Sequence, residues 1–496
     1  TDRKIKIIAD AHVDMEFGTG SVKVPPAHDQ NDYEVGKRHD LEFITVFDEK
    51  GILNEYCGEF AGMERLEARK PIVEKLEAAG YIVKIEDHTH QVGHCYRCKN
   101  IVEPYISKQW FVRSEVAKKS IEKTYAGEAQ FHPPHWLNSY RAWMDELRDW
   151  CISRQLWWGH RIPVFYCDTC GHQWADKHDN PEACPHCASK EIHQDPDVLD
   201  TWFSSALWAF SPLGWGNNGK MAGTYNDSDL ADFYPNSLLI TGFDIMFFWV
   251  ARMMMMGEHF RGELPFKDIY MHALVRDEHG AKMSKSKGNV IDPLDMVEEH
   301  SADIIRFTLA FLAVQGRDIK LGAKNLEQFR NFTNKLYNAS NFLQMNVDTF
   351  ADLKDTTIST PLGKYMQSRL AKAVEEVRET LEAYKFNEAA STLYRFVWNE
   401  FCDWGIEYSK ASKESIAELG SIFKETLKMV SPFMPFISDH LYHKLSGTTL
   451  EKGDSLMIMN FPKEIKHDEE AEKMFAIIEE SITALRRAKV VIDMGN

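Results

Sequence analysis

The 496-residue sequence lacks any uninterrupted apolar segment long enough to cross a bilayer. Its most apolar stretch, residues 246–256, contains Arg252, and a span needs about 20 apolar residues. Basic residues are not in excess either, since 58 Lys and Arg stand against 75 Asp and Glu, a net charge of −17. This balance excludes a basic coat for nucleic acid over the whole surface, but not a local basic site. The first residues show no basic segment followed by an apolar one. We therefore expect a cytoplasmic protein.

The sequence also lacks the even cysteine count of a disulfide framework. Six of its nine cysteines form three C-x-x-C pairs, which in a long chain of this kind indicates metal ligands. Thirteen residues separate the pair Cys167/Cys170 from the pair Cys184/Cys187. Two such pairs supply four thiolates for one tetrahedral Zn²⁺ with no open position. The sequence predicts a structural zinc ribbon here, and two pairs of buried free cysteines are the alternative.

The third pair, Cys95 and Cys98, stands alone, with His88, His90 and His94 nearby. It could be half of a second metal site, a redox pair, or without a role. The sequence alone leaves these three interpretations open.

Hydrophobic periodicity predicts a mixed α/β first part and a helical last part. The length corresponds to about three domains at about 150 residues each. From residue 326 onward, apolar residues recur at helical spacing, which is typical of a bundle. The predicted strands are 4–8, 21–24, 238–241 and 269–274, and the predicted helices are 63–79, 244–257, 325–345, 366–384, 389–409 and 424–445. Strands alternating with a helix over 201–325 indicate a parallel sheet.

A basic loop follows the predicted strand 269–274. Lys282, Lys285 and Lys287, with two serines, precede Gly288, at the carboxyl end of the sheet, where open α/β folds bind ligands. Ammonium groups there could neutralise charge on a polyphosphate during displacement. The alternative is a solvated basic loop.

Four strings in this chain resemble the class I aminoacyl-tRNA synthetases, and within them the valyl-tRNA synthetases. They are KMSKS at 282–286, LITGFDIMFFWVARM at 239–253, WCISRQLWWGHRIP at 150–163 and DVLDTWFSS at 197–205. The resemblance extends over essentially the whole chain. It implies an ATP-dependent ligase that activates valine, transfers it to valine tRNA, and hydrolyses mischarged threonine. The implied partners are ATP with Mg²⁺, valine and tRNA. The resemblance also implies a monomer.

The resemblance also implies a domain order that combines α/β and all-α parts. It assigns residues 1–92 to the C-terminal part of an editing domain and 93–200 to a connective region with the zinc ribbon. Residues 201–325 become the second half of a Rossmann-type catalytic domain with the KMSKS loop. Residues 326–450 become a helical anticodon-binding domain, and 451–496 a linker and the start of a C-terminal helical element.

The resemblance gives several residues catalytic-site roles. Lys285, assisted by Lys282, matches the ATP-contacting lysine of the loop. Gly242 and Asp244 match the pair that shapes the site for the ATP ribose. Trp202 and Ile245 match positions lining the valine pocket, although both residues could equally be ordinary core packing.

The first segment resembles the editing domain of the same family. Asp32 matches the carboxylate that holds the ammonium of the mischarged substrate, and Phe17, Lys23 and Asp29 match other positions of that pocket. A second, hydrolytic site is needed because a valine pocket rejects the nearly isosteric threonine only about a hundredfold, for which the valyl enzymes themselves are the standard example. Without the resemblance, a metal site or a helix cap would explain Asp29 and Asp32 equally well.

In the helical part, residues 320–345 carry four basic residues and one acidic one. Arg330, Asn334 and Lys335 lie on one polar face, with Phe342 close by, and such side chains can stack on unpaired bases and hydrogen-bond to them. The resemblance makes this face the anticodon reader, and a solvated helix surface is the alternative.

The sequence departs from the family by lacking a HIGH-type motif, since Gly93-His94 and Gly159-His160 do not have its context. We therefore expect an internal fragment without the HIGH-motif half and without the C-terminal coiled-coil arm. Such a fragment would have an open edge in its parallel sheet, would not activate valine, and would leave Cys95 and Cys98 without partner ligands.

Two other functions are compatible with the sequence. One is a fragment of an isoleucyl-tRNA synthetase, against which Trp202 and Ile245 argue. The other is a non-catalytic RNA-binding module built from the zinc ribbon and the helical bundle. The tRNA preference of the chain would distinguish these functions.

Overall fold

The computed structural model describes residues 4–16, 19–87, 89–95, 98–215, 227–283, 288–449 and 455–491. The chain divides into two compact units, Thr1–Phe111 and Val112–Asn496. Among the described residues, every helix is too short or too polar to span a bilayer.

The first unit is built around two helices, α1 (Gln30–Arg38) and α2 (Arg65–Ala78). The prediction of a helix over 63–79 is confirmed, and Glu64 caps its start by accepting hydrogen bonds from the N–H groups of Leu66 and Glu67. The predicted strands 4–8 and 21–24 are wrong, because neither segment forms a strand. A strand needs a neighbour to complete its hydrogen bonds, and the described part of this unit offers isolated bridges instead.

The second unit contains a parallel sheet, a small antiparallel ribbon and a helical bundle. The strands of the described chain are β1 (Phe111–Val112), β2 (Gln130–His132), β3 (Trp150–Cys151), β4 (Ser153–Arg154), β5 (Val164–Cys167), β6 (Gln173–Ala175), β7 (Ile192–Gln194), β8 (Val198–Leu199), β9 (Asn236–Gly242), β10 (Phe266–His272), β11 (Val275–Arg276) and β12 (Ile319–Lys320). The helices that follow α2 are α3 (Lys118–Tyr125), α4 (Trp136–Asp145), α5 (Thr201–Ser205), α6 (Asp227–Phe233), α7 (Ala251–Arg261), α8 (Pro293–His300), α9 (Ala302–Leu312), α10 (Ala323–Gln344), α11 (Pro361–Glu382), α12 (Phe386–Arg395), α13 (Glu407–Ser409), α14 (Ile416–Val430), α15 (Pro435–Ser446) and α16 (Glu469–Val491).

The parallel sheet has the strand order β2-β10-β9 within the described residues. In the central strand, Ile269, Tyr270 and Met271 are buried. Met253–Met256 on α7 are buried as well, which explains why this stretch is the most apolar one in the sequence. Among the described residues β9 pairs with β10 alone, and its Ile240 side chain is 51% exposed. Within the described part of the chain, β9 is therefore an open edge of this sheet.

Two small antiparallel sheets lie in sequence between strands β2 and β9 of the parallel sheet. One is β6-β5-β7, and the other is the pair β4-β8. The pair β4-β8 matters for the site described below because it brings Ser153–Arg154 alongside Val198–Leu199. It thereby joins two of the strings that carry the family resemblance.

The bundle core is formed by the helices after residue 300. As the periodicity predicts, the face of α11 that carries Met366, Leu370, Val374 and Val377 is buried, and each such side chain contributes about 1.5–3 kcal/mol of hydrophobic free energy. The single helix predicted over 424–445 is wrong, because the structure has α14 and α15 with a break between them. Pro432 and Pro435 lie at this break, and proline cannot donate the backbone hydrogen bond that a continuous helix needs.

Candidate functional site

The carboxyl edge of the parallel sheet brings together residues that the sequence analysis paired. Strand β9 ends at Gly242, which lies opposite His272 at the end of β10. A Cβ atom on Gly242 would lie 2.6 Å from Oδ1 of Asp244. The Asp244 carboxylate therefore folds back over this glycine, and a side chain at position 242 would displace it. The edge is where open α/β sheets bind their ligands.

The predicted pocket residues lie beside this edge. Ile245 ends a 3₁₀ turn, Phe243–Ile245, which leads through a π-helical turn, Met246–Val250, into α7. Trp202 on α5 stacks on Phe248 of that turn with ring centroids 6.0 Å apart. Both Trp202 and Ile245 are half-buried, so each leaves part of its apolar surface free to contact a small ligand.

A buried network holds the helix that carries Trp202, and the sequence analysis missed it. Asp200 caps α5, since its Oδ1 accepts from the Trp202 N–H at 3.1 Å. Its Oδ2 accepts from Nη2 of Arg154 at 2.7 Å and from Nε1 of Trp150 at 3.3 Å. Asp200 is 7% exposed. The strings at 150–163 and 197–205 are thus joined through one carboxylate.

Arg252 extends the network from α7. Its guanidinium lies 4.0 Å from the centroid of the Trp150 ring and 4.8 Å from that of Phe247. Burial lowers the Arg252 pKa to about 10, although the negative charge of Asp200 raises it. The guanidinium group therefore stays charged at neutral pH. Two signals in the sequence point to this network, namely a charged residue inside an apolar run and an aspartate at a helix-capping position.

Removing the Asp200 carboxylate should destabilise the second unit. Asp200→Ala takes away a helix cap and leaves Arg154 and the Trp150 N–H without their acceptor, so we expect a loss of about 3 kcal/mol. Asp200→Asn keeps the cap and should cost less. Thermal unfolding followed by tryptophan fluorescence measures both changes.

A matched control is Asp197→Ala, which removes a more exposed hydrogen bond to Gln155. This control should cost less than about 1 kcal/mol. Equal losses for Asp200→Ala and Asp197→Ala would show that the network does not support α5.

The basic loop is closed at its base by Asp277 and Asn289. Asn289 donates from Nδ2 to Oδ2 of Asp277 at 2.9 Å, and this bond, with backbone N–H donors, lowers the Asp277 pKa. Lys282 is exposed and forms an isolated bridge with Arg276. Lys285 lies outside the described residues. Asn289 Nδ2 also donates to the Lys282 carbonyl at 3.4 Å, so the same side chain contacts both Asp277 and the backbone of Lys282.

The four cysteines of the ribbon converge. Their sulfur atoms all lie within 4.8 Å of one another, with Cys167 3.5 Å from Cys187 and Cys170 3.8 Å from Cys184. Four sulfurs at 2.3 Å from a tetrahedral Zn²⁺ lie about 3.8 Å apart, so the cluster could hold a metal ion. Burial raises the pKa of the Cys167 thiol, but hydrogen bonds from the Cys170 and Thr169 N–H groups lower it to about 6 overall.

The pair Cys95 and Cys98 has a different environment. Among the described residues, no third cysteine, histidine or carboxylate completes a metal site with them. His90 and His94 are described but do not join such a group, and His88 lies outside the described residues. The interpretation of this pair as half of a site stays a prediction.

In the first unit, Asp32 is a buried carboxylate at the start of α1. It is 7% exposed, and no described residue hydrogen-bonds to its carboxylate oxygens. Burial raises the pKa of Asp32 and the charge of Asp29 adds to this, whereas His12 and Lys23 act in the opposite direction. A cationic group of a ligand would therefore be electrostatically favoured next to the Asp32 carboxylate.

The other predicted residues of this segment have separate positions. Asp29 caps α1, because its Oδ1 accepts from the N–H groups of Asn31 and Asp32 at 2.8 and 3.0 Å. Its carboxylate thus positions Asp32, as the helix-cap alternative anticipated. Lys23 is exposed, and Phe17 lies outside the described residues.

The polar face of α10 is partly engaged within the bundle. Arg330 is 2.7 Å from His300. Lys335 pairs with Asp403 at 2.8 Å and lies over the Trp398 ring. Asn334 is exposed, and Phe342 is half-buried against the core. Asn334 and Arg330 are therefore exposed for direct contact with an RNA. Lys335 would first have to break its ion pair with Asp403 before it could contact a ligand.

Comparison with known proteins gives two family matches. Residues 27–322 match the model for tRNA synthetases class I (I, L, M and V). Residues 363–496 match the model for the anticodon-binding domain of tRNA ligase.

Several curated relatives match the chain from end to end. The valine–tRNA ligase of Wolinella succinogenes is 63% identical over 495 residues, which are 100% of this chain and 55% of that protein. The valine–tRNA ligase of Nitratiruptor sp. is 66% identical over 497 residues, 100% of this chain and 57% of that protein. The chain thus spans little more than half the length of these relatives.

A solved structure shares the fold. It is LeuRS from Agrobacterium radiobacter K84 in a ternary complex with tRNA and LeuAMS, with a TM-score of 0.53 and 21% identity over 64% of this chain and 43% of that one. At this identity the match shows the fold alone.

Proposed function

The chain belongs to the class I tRNA synthetases, and we propose that the protein carrying it is a valine–tRNA ligase. Such a protein activates valine with ATP and transfers it to valine tRNA. The observation that carries this proposal is identity of 62–66% to proteins named valine–tRNA ligase over the whole chain. The protein would act in the cytoplasm as a monomer.

In the proposed activation step, ATP binds at the carboxyl edge of the parallel sheet. Gly242 leaves room for the Asp244 carboxylate, which would accept hydrogen bonds from the ribose hydroxyls. Lys282 and Lys285 would contact the phosphates from the loop and stabilise the departing pyrophosphate. Mg²⁺ bound with ATP would supply further neutralisation of phosphate charge.

The amino-acid pocket would be formed in part by Trp202 and Ile245. A rigid aromatic ring and a branched aliphatic side chain measure a small apolar substrate well. Because Asp200 caps α5, the network of Asp200, Arg154 and Arg252 would hold the Trp202 ring where it limits the size of the substrate.

The ribbon would hold Zn²⁺ through Cys167, Cys170, Cys184 and Cys187. Four thiolates leave no position for water or substrate, so the ion would stabilise strands β5, β6 and β7 and take no part in catalysis.

In the proposed editing step, Asp32 would bind the ammonium group of a threonyl ester while water hydrolyses the ester. Lys23 would lie close enough to favour the charged form of Asp32. On α10, Arg330, Asn334, Lys335 and Phe342 would contact the anticodon bases of tRNA.

Pyrophosphate exchange tests the proposed reaction. With the protein as its organism encodes it, exchange should depend on valine and be weaker with isoleucine, and Asp244→Ala should lower it strongly. We expect the 496-residue chain alone to show none, because it has no HIGH-type motif. Preference for isoleucine would overturn the assignment to valine, and exchange by the 496-residue chain would contradict the expected need for that motif.

A further inference from the structure

The turn between α11 and α12 has a tyrosine at a position that glycine commonly occupies at helix ends. Residues 383–385 connect the two helices, and we name this segment the Tyr384 turn. Tyr384 has a φ angle of +55°, in the left-handed region that disfavours most side chains and that glycine adopts freely. Such strained backbone persists only where the surrounding structure holds it. The contacts of Tyr384 therefore indicate what the turn does.

The Tyr384 side chain leaves the bundle and contacts the parallel sheet. Its ring centroid lies 4.5 Å from that of His132 at the end of β2 and 6.1 Å from that of Tyr270 on β10. Burial raises the pKa of Tyr384, as do the charge of Asp268 on β10 and the hydrogen bond that Tyr384 makes with it, so the hydroxyl is a donor at neutral pH. Oδ1 of Asp268 also lies 2.6 Å from Nε2 of His132. One carboxylate thus joins the turn to two strands of the sheet.

Strand β10 continues from these contacts to the edge where ATP is proposed to bind. Asp268, Tyr270 and His272 alternate along β10 and so lie on one face of the strand. Cε1 of His272 lies 3.5 Å from the place that a Cβ atom on Gly242 would take. A displacement of β10 at Asp268 would therefore reach the edge of the sheet beside Gly242.

The backbone of the turn makes a second contact, with the segment between α9 and β12. In this segment, Nε2 of Gln315 donates to the Tyr384 carbonyl at 3.1 Å. Three residues later, Asp318 pairs with the Arg276 guanidinium on β11. Arg276 in turn forms the bridge with Lys282. The turn is thus connected, through a short series of contacts, to the base of the basic loop.

These contacts join the two parts of the chain that match different families. Tyr384 lies in residues 363–496, which match the anticodon-binding model. Its partners Asp268, His132 and Gln315 lie in residues 27–322, which match the class I synthetase model. The Tyr384 turn is therefore a place where the bundle and the candidate ATP site fix each other's position.

We propose that Tyr384 is a positioning residue for ATP. Its side chain fixes strand β10, and its carbonyl fixes the segment before β12. Together they hold the carboxyl edge of the sheet and the base of the basic loop at the spacing that the triphosphate needs. Tyr384 itself touches no reacting atom and acts through Asp268 and Gln315. This inference rests on the proposed function, because it takes ATP as the ligand of that edge.

Valine-dependent pyrophosphate exchange by the protein as its organism encodes it tests this role, with ATP and valine varied in turn. Tyr384→Phe keeps the ring and removes the donor to Asp268. Gln315→Leu keeps the size of the side chain and removes the donor to the turn. Each variant should raise the KM for ATP roughly threefold, as the loss of one hydrogen bond does, and leave the KM for valine unchanged. Tyr384→Ala also removes the ring and should raise the KM for ATP about tenfold.

A merely structural contact would give a different result. Partial unfolding lowers kcat in proportion to the inactive protein and leaves both KM values unchanged. Tyr394→Phe is the matched control, because Tyr394 belongs to the same helical hairpin but packs on the bundle core and stacks on Trp398. This variant should keep the wild-type KM for ATP.

The outcomes separate the positioning role from the proposed function. If the wild-type protein shows no valine-dependent exchange, the proposed function fails and the role of Tyr384 fails with it. If the wild type is active and Tyr384→Phe and Gln315→Leu both keep its KM for ATP, the positioning role is overturned and the proposed function stands. A lower unfolding temperature and a lower kcat with unchanged KM values in Tyr384→Ala would make Tyr384 a structural contact, which also overturns the proposal.

Discussion

Replacing Cys170 or Cys187 by serine should prevent metal binding and unfold the ribbon. Few residues of this segment are buried, among them Val164, Phe165, Cys167 and Cys184. So small an apolar core does not stabilise a fold by itself, whereas structural zinc binding supplies about 10–16 kcal/mol in isolated zinc fingers at neutral pH. Each variant should therefore lose the metal and expose the segment 164–194 to protease.

Metal analysis of the purified chain measures the first effect. The wild type should hold about one Zn²⁺, since four thiolates bind one ion, and each variant far less. Cobalt substitution of the wild type should give the thiolate absorption bands of a tetrahedral site. Cys57→Ser is the control, because Cys57 lies in the first unit and serine can donate the hydrogen bond that its thiol gives to the Val46 carbonyl.

A second tightly bound zinc per chain would contradict the prediction that Cys95 and Cys98 lack partner ligands. Full metal content in the Cys170→Ser variant would contradict the four-cysteine site itself. Either result is read from the same metal analysis.

Asp32→Asn should abolish most of the hydrolysis of threonyl-tRNA while leaving the protein folded. The variant loses the charge that would bind the substrate ammonium in a partly desolvated site, and such contacts contribute about 2–4 kcal/mol, or roughly 30- to 1000-fold in kcat/KM. Hydrolysis of threonyl-tRNA(Val) by the protein as its organism encodes it measures this loss.

The same substitution should raise the unfolding temperature slightly at pH 7. Because burial raises the Asp32 pKa in the folded state, the charged form is less favoured there than in the unfolded chain. Folding therefore costs free energy above that pKa, and a neutral amide removes the cost. Lower activity together with higher stability distinguishes a binding carboxylate from a structural one.

The pH dependence follows from the same shift. Substrate binding needs ionised Asp32, so hydrolysis should decline with acidification at a higher pH than an ordinary aspartate would give. Asp29→Asn keeps the helix cap and removes a neighbouring negative charge, so its decline should move to lower pH. Wild-type hydrolysis in Asp32→Asn would refute the editing role of this residue.

Hydrophobic spacing predicted the secondary structure correctly for elements whose pattern depends on residues close in sequence. The buried face of α11 and the strands β9 and β10 follow from spacing and apolar runs, because each depends on residues close in sequence. The strands expected at 4–8 and 21–24 failed because pairing depends on a partner elsewhere. The continuous helix expected over 424–445 is interrupted because Pro432 and Pro435 lie within it and lack the backbone N–H that a helix interior needs.

The candidate site also has a part that the sequence predicts and a part that it does not. Spacing alone predicted that the four cysteines converge, because four thiolates can reach one tetrahedral metal ion only from certain spacings along the chain. The network around Asp200 was not predicted, because Arg154 and Trp150 lie 46 and 50 residues away. No period in the sequence indicates that one carboxylate joins these two segments. Backbone pairing between them, by β4 with β8 and by the bridge of Arg161 with Val198, brings them together.

The most direct test of this account is the affinity of the 496-residue chain for valine tRNA compared with isoleucine tRNA at one salt concentration, because protein–RNA affinities have meaning only at a stated salt. We expect clear preference for valine tRNA, because the helical bundle would read its anticodon. Exchanging the two anticodons between the transcripts should exchange the affinities. Equal affinity for both tRNAs, or preference for isoleucine tRNA, would contradict the account.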